Sequence, residues 1–170
     1  MSPTATRALV FARPVILILT IVNIVYASLL TALLTLSFLL PGWPERALGF
    51  DIVNKYPHMP GGLRAIVVLG VISAVIMNTI LRRLLAIVDT VRDGDPFILD
   101  NAERLESIAW RVLVLELMRM VIAGVAALVW EPGRIAAIEL APWLAILLLF
   151  VLAGVFSHGA RLRADLEGTV

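Results

Sequence analysis

A glutamate and an arginine lie three residues apart inside a long run of apolar residues. The run covers residues 108–129, and it contains Glu116, Arg119 and, nearer its start, Arg111. Side chains three apart share one face of a helix, so we expect Glu116 and Arg119 to be neighbours. A charged residue at the centre of a membrane helix costs about 2.5–3.5 kcal/mol, so this pair needs a polar partner or a function. We expect Arg111 to extend towards the nearer membrane surface.

Two asparagines lie in other apolar runs at a depth similar to that of Glu116. Asn23 belongs to the first run and Asn78 to the second. The sequence therefore predicts an intramembrane polar cluster of Asn23, Asn78, Glu116 and Arg119. Such a cluster holds helices in register, binds a polar or anionic ligand, or takes part in a proton-coupled step at Glu116.

The motifs of common enzyme and metal sites are absent from the sequence. The chain has no cysteine, which excludes thiol catalysis and thiolate metal sites, and its two histidines are far apart. We find no glycine-rich nucleotide loop, no catalytic triad order and no zinc-binding helix motif. The sequence thus predicts a protein that is not an enzyme and has no cofactor and no metal site.

Four apolar runs determine the predicted fold. Hydrophobic residues make up 61 % of the 170 residues, which is above the usual share in soluble domains. About 20 apolar residues are needed to cross a bilayer. We predict an all-α integral membrane four-helix bundle in one domain, residues 1–170, with spans at about 14–40, 63–81, 108–129 and 140–157.

The second and third helices are predicted to extend into water as a helical hairpin. Beyond residue 81, apolar residues recur at helical spacing between charged ones, which is typical of an amphipathic helix. The sequence Asp93-Gly94-Asp95-Pro96 ends that helix. Asp100, with Glu103 three residues later, is predicted to cap the next helix. We expect apolar residues of the two helices to pack together: Leu84, Val88, Leu105, Ile108 and Ala109.

The distribution of basic residues predicts the orientation. Eight arginines flank the spans on one side of the membrane, and four basic residues lie on the other. The positive-inside rule therefore places both termini and the hairpin, residues 82–107, in the cytoplasm. The hairpin also carries six acidic residues beside four arginines, so a nucleic-acid-binding face is not expected. Its surface is either simply solvated or a docking site for a cytosolic protein.

Two short elements of the chain resemble a known family. The first is Gly94-Asp95-Pro96-Phe97 with Asn101 and Arg104-Leu105. The second is Val155-Phe156 with Gly159, Leu162 and the ending Gly168-Thr169-Val170. Together they resemble domain-of-unknown-function family 2975, small bacterial membrane proteins with four helices.

The resemblance implies a partner and a location. Members of that family are often encoded beside a small helix-turn-helix protein of the Cro/CI type, which suggests a membrane component that holds or releases a DNA-binding regulator. Here the chain would be a signalling protein of the bacterial inner membrane. Its docking residues would be Asp93, Asp95, Pro96, Phe97, Asn101 and Arg104. The alternative is a small transporter or lipid-binding protein that uses the Glu116 and Arg119 cluster.

Overall fold

The protein is all-α wherever the structure describes it. A computed structural model describes residues 3–40, 43, 59–130 and 139–167. Within these residues the chain forms four helices, α1 (Pro3–Leu39), α2 (Met59–Arg92), α3 (Leu99–Trp130) and α4 (Leu140–Glu167). The prediction of four helices is confirmed, and the chain ending 168–170 lies outside the described residues.

Within the described residues, three of the helices contain segments that are long and apolar enough to cross a membrane. These segments are Phe11–Leu39, Gly61–Arg92 and Leu140–Asp165. Many of their large apolar side chains are exposed, as expected for helices that face lipid. As far as the structure describes the chain, helix α3 is not among them, and its apolar part carries Arg111, Glu116 and Arg119. A fourth span at α3 stays a prediction.

The end of α2 agrees with the sequence pattern. The helix continues past residue 81 to Arg92, which confirms its predicted length, whereas its extension into water stays a prediction. Gly94 then has φ +93°, a conformation that favours glycine. The backbone N–H of Asp95 donates to the carbonyl of Thr90 at 3.0 Å, so the helix closes with a glycine-type C-terminal cap.

The predicted cap of α3 is wrong. Helix α3 begins at Leu99, and Asp100 lies inside its first turn rather than before it. The carbonyl of Ile98 accepts the backbone N–H groups of Asn101 and Ala102 at 3.1 and 3.4 Å. The Asn101 side chain donates a hydrogen bond to the carbonyl of Pro96 in the preceding turn, so Asn101 rather than Asp100 stabilises this end of the helix.

The chain divides into two compact units. The first unit comprises Met1–Val22, Met77–Val114 and Glu139–Val170, and the second comprises Asn23–Ile76 and Leu115–Ile138. The first unit therefore contains both ends of the α2–α3 connection together with α4.

The core of the first unit includes one face of α2 packed on α1. Leu81 and Val88 of α2 cluster with Ile16 of α1, and Leu85 packs against them. Leu84, which was predicted to pack against α3, is partly covered at 37 % exposure, and its contact with α3 stays a prediction. The other four residues of the predicted hairpin interface are buried: Val88, Leu105, Ile108 and Ala109.

An arginine joins α1 and α2 within the second unit. The Nη2 of Arg64 donates to the carbonyl of Ser37 at 2.8 Å. Its guanidinium also lies over the rings of Phe38 and Trp43, 4.8 and 5.5 Å from their centroids. Cation–π contacts and a hydrogen bond thus fix the end of α1 against the beginning of α2.

Candidate functional sites: an ion pair in α3 and the α2–α3 turn

Glu116 and Arg119 form a bidentate ion pair. Arg119 donates from Nε to Oε2 of Glu116 at 2.9 Å, and from Nη2 to Oε1 at 2.7 Å. Glu116 is buried, whereas the Arg119 side chain is 42 % exposed. Two parallel N–H···O bonds are the strongest geometry available to this pair. Both carboxylate oxygens of Glu116 are therefore occupied within the same helix.

Asn23 joins α1 to α2 instead of joining the ion pair. Its Nδ2 donates to the carbonyl of Ala74 at 2.9 Å. Nearby, a Cβ at Gly70 would lie 2.9 Å from Cδ1 of Leu30, so this glycine permits the close approach of the two helices. In the part of the chain that the structure describes, no hydrogen bond links Asn23 to Glu116.

Asn78 belongs to the first unit, whereas the other three residues of the predicted cluster belong to the second. Its Oδ1 is buried and has no hydrogen-bond partner among the described residues. The four-residue polar cluster stays a prediction, while the Glu116–Arg119 pair and the Asn23 contact are structural facts.

Arg111 extends towards the beginning of α3, as expected. Its Nη1 donates to the carbonyl of Ser107 at 2.9 Å and contacts the Ser107 hydroxyl. The charge is thereby directed away from the apolar part of the helix and towards the α2–α3 connection.

A fully buried asparagine holds the α2–α3 turn together. Asn101 is 0 % exposed. Its Nδ2 donates to the carbonyl of Pro96 at 3.0 Å and to Oγ1 of Thr90 at 2.8 Å. Its Oδ1 accepts from Nη1 of Arg104 at 2.8 Å. One side chain thus joins the last turn of α2, the connection and the first turns of α3.

Helix α4 also packs against the α2–α3 turn. Arg163 forms a salt bridge with Asp95. The ring of Phe97 packs on that of Phe156, with centroids 5.1 Å apart. A Cβ at Gly159 would lie 3.0 Å from Cδ1 of Phe97, so the ring lies directly over this glycine. The two short elements singled out in the sequence therefore meet in space, which spacing along the chain did not predict.

The predicted docking residues differ in their access to a partner. Asp93 is exposed, Phe97 is 44 % exposed, and the Asp100 side chain is 71 % exposed. Arg104 is largely covered and pairs with Asp100 at 3.7 Å. Asn101 is too deeply buried to touch a partner, so its role is to shape the turn.

No protein-family model, curated protein or solved structure matches this chain. The family resemblance therefore stays a prediction. Among the described residues, no group of three or more histidine, aspartate or glutamate side chains could hold a metal ion.

Gly159 provides a direct test of the contact between α4 and the turn. Replacing Gly159 with leucine is expected to displace the Phe97 ring and to lower the free energy of unfolding by about 1–3 kcal/mol, as overpacking does. Thermal unfolding of the purified protein in detergent measures the change. Gly154→Leu in the same helix is the matched control, because a Cβ there meets nothing within 4 Å. Equal stability of the two variants would contradict the packing of Phe97 on Gly159.

Proposed function

We propose that the chain is a non-enzymatic signalling protein of the membrane that binds a cytosolic regulatory protein through its α2–α3 turn. We call residues 93–104 the docking turn. The observation that carries the proposal is that this tightly held turn exposes one aromatic residue, Phe97, and two acidic residues, Asp93 and Asp100. Both termini and the docking turn then lie in the cytoplasm, as the positive-inside rule predicts.

The docking turn is organised before any partner arrives. Asn101 fixes it from within, and the contacts of Asp95 and Phe97 with α4 fix it from outside. A preformed binding surface loses little conformational entropy on association, which favours affinity. An aromatic anchor surrounded by polar groups is a common centre of a protein interface.

The charge of the docking turn indicates the chemistry of the partner. Asp93 and Asp100 are exposed in the same turn as Phe97, so a basic surface with an apolar recess is complementary to the turn. DNA-binding regulators carry such basic surfaces. A helix-turn-helix regulator, which the family resemblance suggests, would then bind either DNA or the docking turn.

Binding of a purified regulator tests this function. The partner to use is a small helix-turn-helix protein of the Cro/CI type, the kind that the family resemblance suggests, with the membrane protein held in lipid nanodiscs. We expect the combined Asp93→Asn and Asp100→Asn substitutions, or Phe97→Ser alone, to weaken binding about tenfold or more. Operator DNA should compete for the regulator.

A distant acidic residue supplies the control for that experiment. Glu139 is exposed before the beginning of α4, so Glu139→Gln should leave regulator binding unchanged. If the docking-turn variants bind the regulator as tightly as the wild type, the proposed function is wrong.

The alternative function, transport or ligand binding at Glu116 and Arg119, has weaker support. The bidentate geometry occupies both carboxylate oxygens of Glu116, and Asn23 is engaged with a backbone carbonyl. These contacts favour a structural role for the pair. Substitution of Glu116 separates the structural role from the functional one.

A further inference from the structure

A groove separates the first turns of α3 from the second half of α4. Its volume is about 580 Å³, within the range of pockets that hold small molecules. The groove lies wholly within the first unit. It is lined by Leu99, Ala102, Glu103, Glu106, Phe150, Ala153, Gly154, Ser157 and Arg161.

The two ends of the groove differ in polarity. The inner end is formed by Phe150, Ala153 and Gly154, in the apolar part of α4. The ring of Phe150 makes an edge contact with the ring of Trp110, with centroids 5.3 Å apart. The other end carries Glu103 and Glu106 of α3 and Arg161 of α4. The groove therefore runs from apolar residues of α4 to charged residues of both helices.

Opposite charges line the charged end of the groove, which we call the outer end, but in the described part of the chain they form no ion pair with one another. Glu103 and Glu106 are three residues apart on α3, and Arg161 lies on α4. Within the described residues, no ion pair or hydrogen bond engages any of these three side chains, unlike the neighbouring Asp95–Arg163 pair. Two carboxylates and a guanidinium are thus available to a ligand that carries both signs of charge.

Small residues keep the inner end open. Ala102, Ala153, Gly154 and Ser157 line the groove, and a Cβ built on Gly154 would meet nothing within 4 Å. Further along α4, Leu147 and Val151 are exposed to the surroundings. A hydrocarbon chain leaving the groove along α4 would therefore continue over apolar surface.

We propose that this groove binds one phospholipid with an ethanolamine head group. Arg161 binds the phosphate, the carboxylates of Glu103 and Glu106 accept hydrogen bonds from the primary ammonium, and an acyl chain lies along Phe150 and Gly154. A primary ammonium has three N–H donors, whereas a trimethylammonium head group has none. An anionic glycerol head group would meet two carboxylates and be repelled. The proposal is independent of regulator binding.

Lipid titration of the purified full-length protein tests the inference. The probes are phosphatidylethanolamine, phosphatidylcholine and phosphatidylglycerol with identical short acyl chains, and native mass spectrometry gives each dissociation constant. We expect phosphatidylethanolamine to bind about tenfold more tightly than the others, because only its head group forms charge-assisted hydrogen bonds with both carboxylates. Equal affinity for the three lipids would overturn the proposal.

Variants of the groove locate the lipid. Gly154→Leu fills the inner end, and the combined Glu103→Gln and Glu106→Gln substitutions remove the charges that bind the ammonium. Each should weaken phosphatidylethanolamine binding about tenfold, whereas Gly124→Leu, at another open position, should not. Thermal unfolding checks that each variant is folded. Unchanged affinity in both groove variants would overturn the proposal.

Two further measurements distinguish the proposed phospholipid from a soluble ligand and from a partner protein in the same groove. Free phosphoethanolamine that binds as tightly as the lipid would indicate a soluble ligand rather than a membrane lipid. Loss of regulator binding in Gly154→Leu with unchanged lipid affinity would assign the groove to the partner protein. Either result overturns the lipid proposal, and neither is expected. If the docking-turn variants fail to affect the regulator while lipid selectivity is observed, only the proposed signalling function fails.

Discussion

Replacing Asn101 with leucine is expected to lower the free energy of unfolding by about 3–5 kcal/mol, since several buried polar groups lose their partners at once. The carbonyl of Pro96 loses its donor, and Nη1 of Arg104 loses its acceptor. The last turn of α2 also loses its contact through Thr90. Thermal unfolding in detergent measures the loss, and hydrogen exchange of residues 93–101 should rise locally.

Asn78 is the matched control for Asn101. Its Oδ1 is buried in the same unit but has no partner among the described residues, so Asn78→Leu should leave stability unchanged or raise it. Asn101→Asp keeps an acceptor for Arg104 and loses the amide donors, and it should fall between the leucine variant and the wild type. If Asn101→Leu and Asn78→Leu are equally stable, the interpretation of Asn101 as the structural centre of the turn is wrong.

Replacing Glu116 with glutamine is expected to be the second most damaging change. It leaves the Arg119 guanidinium without its carboxylate in an apolar helix, and the free energy of unfolding should fall by about 2–4 kcal/mol. The structural reason is that Glu116 supplies two acceptors to Arg119, at 2.7 and 2.9 Å. Thermal unfolding in detergent and in lipid nanodiscs measures the loss.

The double variant separates a structural pair from a functional one. Glu116→Leu combined with Arg119→Met removes both charges, and its stability should return close to that of the wild type, because an ion pair in an apolar setting can be replaced by apolar side chains. Ligand or regulator responses should also survive in the double variant. A Glu116→Gln protein with wild-type stability and a lost response would instead make Glu116 a functional residue.

Local patterns in the sequence predicted much of the helical framework. The extension of α2 to Arg92 follows from apolar residues at helical spacing, and its end follows from Gly94, which takes a positive φ. The pairing of Glu116 with Arg119 depends only on their separation by three residues. Each of these features involves neighbours along one helix or turn.

Contacts between distant segments were not predictable in the same way. Asn101 had been predicted as a docking residue, and its burial depends on the packing of α2 and α3 around it. The partner of Asn23 is the backbone carbonyl of Ala74, which side-chain patterns do not reveal. The packing of Phe97 on Phe156 is likewise non-local, and a single sequence gives no measure of it.

The closure of the docking turn by α4 has a consequence for synthesis of the chain. Asp95 and Arg163 are 68 residues apart. At roughly 5–20 residues per second, the ribosome adds Arg163 about 3 to 14 s after Asp95. For most of that interval Phe156 has not been made, so Phe97 lacks the ring on which it packs. The docking turn therefore gains its contacts with α4 only after that helix has been made. If the turn binds a regulator as proposed above, a nascent chain would lack the complete binding surface until then.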